Sequence, residues 1–146
     1  MAGVNVAATP DPIAELNQVL SEIIDVVQEV KQAHRKVPET RDLHAEIDRL
    51  FDDLRSWAGV LMDEDRALGV SPLGMIPSVA GRYPPNLWPG APSDEEVRRF
   101  LGQQLHRLVG HVAAALADQQ DDGSRAALAE VQRGVQAHRQ VLEELS

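Results

Sequence analysis

Two long stretches of helical periodicity, separated by a proline-rich segment, constrain this fold more than any other sequence feature. Segment 69–92 holds six of the nine prolines, and apolar residues recur at three- and four-residue spacing on both sides of it. Turn signals at Pro38 and at Gly123 divide each side into two amphipathic helices. The sequence therefore predicts an all-α fold, a four-helix bundle made of two antiparallel hairpins. The expected helices are 12–36, 40–68, 93–121 and 124–145.

Composition agrees with one helical domain. The chain has 146 residues, of which 43% are hydrophobic and only 3% aromatic, and this suits a bundle packed with Ala, Val and Leu better than a β-sandwich. We expect residues 1–10 to form a loose tail and residues 11–146 to form a single domain. No cysteine is present, so disulfides and thiolate metal sites are excluded.

Charge and hydropathy argue against two classes of partner. The formal net charge is −9, from 23 acidic and 14 basic residues, and this opposes non-specific binding to nucleic acid or to anionic lipid. No apolar run reaches the length of about 18 residues that a bilayer crossing requires, and the first residues lack the pattern of a signal peptide. We therefore expect no nucleic acid, no membrane insertion and a cytoplasmic location.

Helix starts are marked by capping residues. Pro12 suits the first position of the first helix. Thr40 and Ser124 are expected to cap the second and fourth helices. Ser93 is followed three residues later by Glu96, which is the spacing of a capping box and predicts the start of the third helix.

The connector 69–92 is unlike a flexible linker because it carries many apolar side chains. Tyr83 and Trp88 are expected to anchor it as an ordered strap, either closing one end of the core or presenting a lid or partner surface. Its length allows it to run along the whole bundle. In that case the second and third helices are parallel, as in a ferritin-like crossover, and we favour this over a simple up-down-up-down bundle.

Two histidines fall on the apolar stripes of their helices, His34 in the first and His138 in the fourth. They lie at the same end of the bundle in the crossover topology and at opposite ends in the alternative. Neutral imidazole binds metals, so the pair is a candidate ligand site. His44 can approach His34 across the turn near Pro38, with Asp42 as the nearby carboxylate.

No catalytic motif is apparent, and an enzyme is therefore disfavoured. The Glu-x-x-His motif of ferritin-like di-iron sites does not occur, since no glutamate is followed three residues later by histidine. No phosphate-binding loop and no Ser/His/Asp arrangement can be identified. We accordingly predict no cofactor and no resident metal on motif grounds.

Two functions remain open. The leading interpretation is a non-enzymatic interaction module that binds a protein partner or forms a homodimer, using the additional apolar residues Val19 and Val26 of the first helix. The alternative is a bundle that binds a small molecule or metal between its hairpins, near His34 and His138. The candidate contact residues are His34, His44, Tyr83, Trp88 and His138.

Overall fold

The computed structural model describes residues 12–69 and 86–145, and this part of the chain contains four long α-helices. They are α1 (Pro12–Lys36), α2 (Asp42–Ala67), α3 (Asp94–Asp118) and α4 (Asp122–Glu144). The prediction of an all-α four-helix bundle is confirmed. No helix in 12–69 or 86–145 combines the length and apolar character that crossing a membrane requires.

Helix contacts define the topology of the bundle. α1 packs on α2 and α3, and α4 packs on the same two helices, so that α2 and α3 lie diagonally opposite each other. The α1–α3 seam joins Glu29 to Gln104 at 2.6 Å and Glu22 to His111 at 2.5 Å. Residue numbers fall along one helix as they rise along the other, so the two helices are antiparallel.

The predicted crossover follows from this arrangement. α1 is antiparallel to α3 and, through the hairpin at Pro38, also to α2, so α2 and α3 are parallel. Leu87 lies beside the C-terminal part of α1, where its backbone N–H donates to Gln32 Oε1 at 3.0 Å. α2 ends at Ala67, at the opposite end of the bundle from Leu87 and from the start of α3.

A single apolar core runs along the bundle axis. Its largest fully buried side chains are Leu16, Leu20, Ile23, Ile47, Leu50, Leu54, Leu61, Leu101, Leu105, Leu108, Leu128 and Leu142. Val19 and Val26 also belong to this core, with 1% and 6% of their surface exposed. Our assignment of these two valines to a dimer surface was wrong, because the bundle itself covers that side of α1.

Capping agrees with the sequence at one helix and differs at two. Ser93 Oγ accepts from the N–H of Glu96 at 3.1 Å, and the capping box of α3 is complete. The N-terminal cap of α4 is Asp121 rather than Ser124, since the Asp121 carboxylate accepts the Ser124 N–H at 2.9 Å. α2 begins after Arg41 with no side-chain cap, so the assignment of Thr40 was also wrong.

One glycine is required by packing rather than by backbone conformation. A Cβ atom placed on Gly134 of α4 would lie 2.0 Å from Cζ2 of Trp57. The indole ring of Trp57 therefore rests directly against the α4 backbone. This close approach lets α2 and α4 pack tightly beside His138, whose ring meets Trp57 edge-on with centroids 6.0 Å apart.

Candidate metal centre

Three potential metal ligands converge where α1 ends and α2 begins. His34 Nε2 lies 2.5 Å from Asp48 Oδ1, and His44 Nε2 lies 3.8 Å from Asp48 Oδ2. The two imidazole rings face each other with centroids 4.3 Å apart. One imidazole nitrogen from each histidine and one carboxylate oxygen of Asp48 all lie within 4.8 Å of one another. We call His34, His44 and Asp48 the histidine–aspartate cluster.

Local structure brings these residues together. Asp48 follows His44 by four residues in α2, and residues at this spacing share one helix face. His34 lies in the last turn of α1. The turn around Pro38 folds the two helices back on each other and places the side chains of both on the same seam.

A backbone contact orients the buried member of the cluster. Only 8% of the surface of His44 is exposed, and its Nδ1 lies 2.9 Å from the carbonyl oxygen of Val37. Because a carbonyl oxygen can only accept, Nδ1 must carry the hydrogen, and the neutral ring then keeps a lone pair on Nε2. This is the arrangement by which metal-binding histidines are usually held. His34 and Asp48 are more exposed and leave the cluster open to solvent.

A second histidine is held very differently, on the α2–α4 seam. His138 Nδ1 is hydrogen-bonded to Glu46 Oε1, and its Nε2 lies 2.7 Å from Asp53 Oδ2. Arg49 contacts the other Glu46 oxygen through Nε at 3.2 Å and Nη2 at 2.9 Å. Only 1% of the surface of Glu46 is exposed. We call these four residues the buried imidazolium cluster.

Protonation of His138 follows from its two partners. Burial alone lowers the pKa of the ring, but hydrogen bonds and charge attraction from Glu46 and Asp53 outweigh burial, so the pKa of His138 is raised above 6.5. A carboxylate oxygen faces each ring nitrogen, so both nitrogens can donate only in the charged imidazolium, and the raised pKa favours that form. Two cations, His138 and Arg49, balance two carboxylates. No ring lone pair remains for a metal.

Two further acids have altered pKa values. Burial raises the pKa of Asp65, which is fully buried in α2 and lies 2.5 Å from the amide nitrogen of Asn17 once that amide is oriented to donate. Burial also raises the pKa of Glu29, although its hydrogen bond from Gln104 opposes the shift. Neither acid lies in the histidine–aspartate cluster. Each instead joins α1 to a neighbouring helix, Asp65 through Asn17 and Glu29 through Gln104.

The structure separates the two histidines that the sequence analysis had placed at one site. His34 and His138 lie at the same end of the bundle, as the crossover topology requires. His34 belongs to the histidine–aspartate cluster, however, whereas His138 belongs to the buried imidazolium cluster on a different seam. His44 does approach His34 across the turn, but the carboxylate that joins them is Asp48 and not Asp42, which is exposed at the first position of α2.

Asp48 and Glu46 were missed by the sequence analysis, although each leaves a recognisable signal. Asp48 stands four residues after His44, a spacing that places two ligands on one helix face. Glu46 stands between Leu43 and Leu50 at three- and four-residue intervals, which puts a charged residue within an apolar stripe. A carboxylate at such a position needs a buried partner, and His138 provides it.

Of the two aromatic residues expected to anchor the connector, the structure describes Trp88. Trp88 is half-buried and packs edge-on against Phe100 of α3, with ring centroids 5.4 Å apart. This contact anchors the end of the connector near the start of α3. Tyr83 lies outside the described residues.

Comparison with known proteins shows the fold and no more. No protein-family model matches the sequence, and no curated protein matches it. Among solved structures, the chain is similar to Dps from Microbacterium arborescens, determined in its high iron form, with a TM-score of 0.73 and 19% sequence identity. The match covers 91% of this chain and 93% of the Dps chain. The fold is therefore the ferritin-like four-helix bundle of Dps.

Proposed function

We propose that this chain is a metal-binding four-helix bundle in which His34, His44 and Asp48 hold a divalent first-row transition metal. The observation that carries the proposal is the convergence of two imidazoles and one carboxylate within 4.8 Å. Two histidines and one carboxylate are the donor set of non-haem Fe(II) sites. The structurally similar Dps was determined in a high iron form, so Fe²⁺ is the first ion to test.

The ligand geometry suits a metal that replaces a proton. His34 and Asp48 share a hydrogen bond, whereas ligands on one metal stand roughly 3 Å apart, since metal–nitrogen and metal–oxygen bonds are about 2.0–2.2 Å long. Both side chains are exposed enough to make this small rotation. His44 is already oriented by the Val37 carbonyl, so it pre-organises the site.

This proposal favours the second of the two functions weighed from the sequence. The structural match and the histidine–aspartate cluster both support metal binding, whereas the interaction module has lost the surface around Val19 and Val26 that was assigned to dimerisation. Self-association and cytoplasmic location stay predictions. The proposed metal site replaces the sequence-based prediction that the protein has no cofactor and no resident metal.

Metal titration of purified protein tests the proposal directly. Anaerobic calorimetry with Fe²⁺, and absorption spectroscopy with Co²⁺, should show one ion per chain. H44A should bind at least tenfold more weakly, because it removes a ligand. H106A is the matched control, since His106 is exposed on α3 and outside the cluster.

Two results would contradict the proposal. If the wild-type protein binds neither Fe²⁺ nor Co²⁺, the metal-binding function is wrong. If the protein binds them but H44A retains wild-type affinity, the metal lies elsewhere and the histidine–aspartate cluster is not the site.

A further inference from the structure

A shallow groove of about 770 Å³ lies on α3 and α4, on the side of the bundle away from the α1–α2 seam. Four arginines line it together with Gln103 and His106, and only two acids, Glu95 and Glu143, accompany them. The chain as a whole has 23 acidic and 14 basic residues. A local excess of positive charge on such an acidic protein focuses anions onto this surface. We call it the arginine groove.

The arginines differ in how firmly they are held. Arg98 is half-buried, and its Nη1 donates to the carbonyl oxygens of Leu142 and Leu145 at the end of α4. Because a guanidinium has five N–H donors, Arg98 is fixed in place with further donors still available. This anchoring gives the groove one arginine in a defined position.

The other guanidinium groups are available to a ligand. Arg107 and His106 form no hydrogen bond or ion pair with another described residue, although the charge of Arg107 acts on Glu29. Arg99 pairs with Glu95 at 3.0 Å and Arg139 with Glu143 at 3.7 Å, both one helical turn away. Such surface pairs are weak, and an ion of higher charge can displace them.

Spacing and lining indicate the chemical class of the ligand. Arg99 and Arg107 are eight residues apart on α3, which is about 12 Å at 1.5 Å per residue. This exceeds the size of a single phosphate and suits a chain of several. Guanidinium groups bind phosphate oxygens in a forked geometry. No Phe, Tyr or Trp is among the residues that line the groove, so its charge favours phosphate groups while it lacks the large aromatic rings that favour a nucleobase.

We propose that the arginine groove binds a multiply charged oligophosphate that lacks an aromatic base. Arg107 and Arg139 contact the phosphoryl oxygens, while Arg98 provides a fixed donor at the end near the α3 N-terminus. This site is independent of the histidine–aspartate cluster, because the two involve different helices.

Calorimetric titration of metal-free protein with sodium tripolyphosphate tests this site. We expect one tripolyphosphate per chain, and affinity at least fivefold weaker in both R107Q and R139Q. R133Q is the matched control: it removes the same charge from α4, from an exposed residue that does not line the groove. R133Q should bind within twofold of wild type. H44A should do the same, which separates this result from the fate of the metal site.

Several outcomes would overturn the proposal. Absence of tripolyphosphate binding to the wild-type protein at low salt would end it. An equal loss in R133Q and R107Q would show general charge attraction rather than a site. Tighter binding of a short DNA duplex than of tripolyphosphate, lost in R107Q, would assign the groove to nucleic acid instead.

Discussion

The two histidine clusters of this bundle share helix α2 and one end of the molecule, yet they are built for opposite purposes. In the histidine–aspartate cluster, His44 donates one nitrogen to a backbone carbonyl and keeps the other for a ligand. In the buried imidazolium cluster, both nitrogens of His138 are occupied by carboxylates. The difference lies in what faces each ring, and not in the residue type or its depth, since His44 and His138 are each 8% exposed.

This contrast shows why burial alone does not identify a functional histidine. Glu46 and Asp53 stabilise a charged ring on the α2–α4 seam, where Arg49 balances the second carboxylate charge and both ring nitrogens are occupied. Asp48 lies on the α1–α2 seam beside a ring with a free lone pair, and the site is open to solvent. The first arrangement is suited to holding helices together, and the second to binding a cation.

The largest expected effect comes from removing the buried ring. H138A leaves Glu46 Oε1 buried without its partner while Arg49 still holds the other oxygen, and removing one partner from a buried charged group costs about 3 kcal/mol. Urea unfolding followed by circular dichroism should show this loss in the free energy of unfolding. H106A, which alters an exposed histidine, should stay within about 0.5 kcal/mol of wild type. A loss below 1 kcal/mol in H138A would mean that the cluster does not hold α4 to α2.

The next effect concerns stabilisation by metal. A ligand that binds only the folded state at a hundred times its dissociation constant adds about 2.7 kcal/mol to the free energy of unfolding. Wild type and H138A should both gain this increment with saturating metal, whereas H34A and H44A should not. Thermal unfolding with and without metal measures the difference. Loss of the increment in H138A, with its retention in H44A, would reverse the roles of the two clusters.

A smaller effect is expected at Gly134, which supports the packing around His138. G134A gains the helix propensity of alanine, worth about 1 kcal/mol. Its methyl group would collide with Trp57, and overpacking of this kind costs about 1–3 kcal/mol. The net result should be destabilisation, measured by urea unfolding. G110A is the control. Gly110 is an exposed residue of α3 at which a Cβ atom would meet nothing within 4 Å, so alanine there should raise the free energy of unfolding. Stabilisation by G134A would show that Trp57 moves freely.

The smallest effect is the pH dependence of the free energy of unfolding, and its sign differs between the contributions of the two clusters. The pKa of His138 is raised in the folded protein, so its contribution to stability is complete below the unfolded value of 6.5 and is lost as pH rises through the folded pKa. The stability gap between wild type and H138A should therefore narrow from pH 6 to pH 9. Metal stabilisation should instead grow as pH rises, because protons compete for imidazole. If both contributions to stability changed in the same direction with pH, the two clusters would not differ in the way described above.

The fold could be predicted from the sequence because it depends on local signals. Three- and four-residue spacing, Pro38 and the Ser93–Glu96 capping box define the helices, and the apolar connector favoured the crossover. The sites depend on which side chains meet across seams, and helical periodicity gives only the face on which a residue lies. Glu46 and His138 are 92 residues apart, so their pairing requires the α2–α4 contact. Asp48 could have been predicted as a ligand from the sequence, because its spacing of four residues from His44 places both side chains on one helix face.

The crossover also separates the two clusters in the order of their assembly. The histidine–aspartate cluster lies within a single hairpin, and so it forms as soon as α1 and α2 dock, with little loop-closure entropy to overcome. The buried imidazolium cluster closes a loop of 92 residues and must wait until α4 arrives. The proposed metal site therefore needs only the contact between two helices that are neighbours in sequence, whereas the buried imidazolium cluster needs the complete bundle.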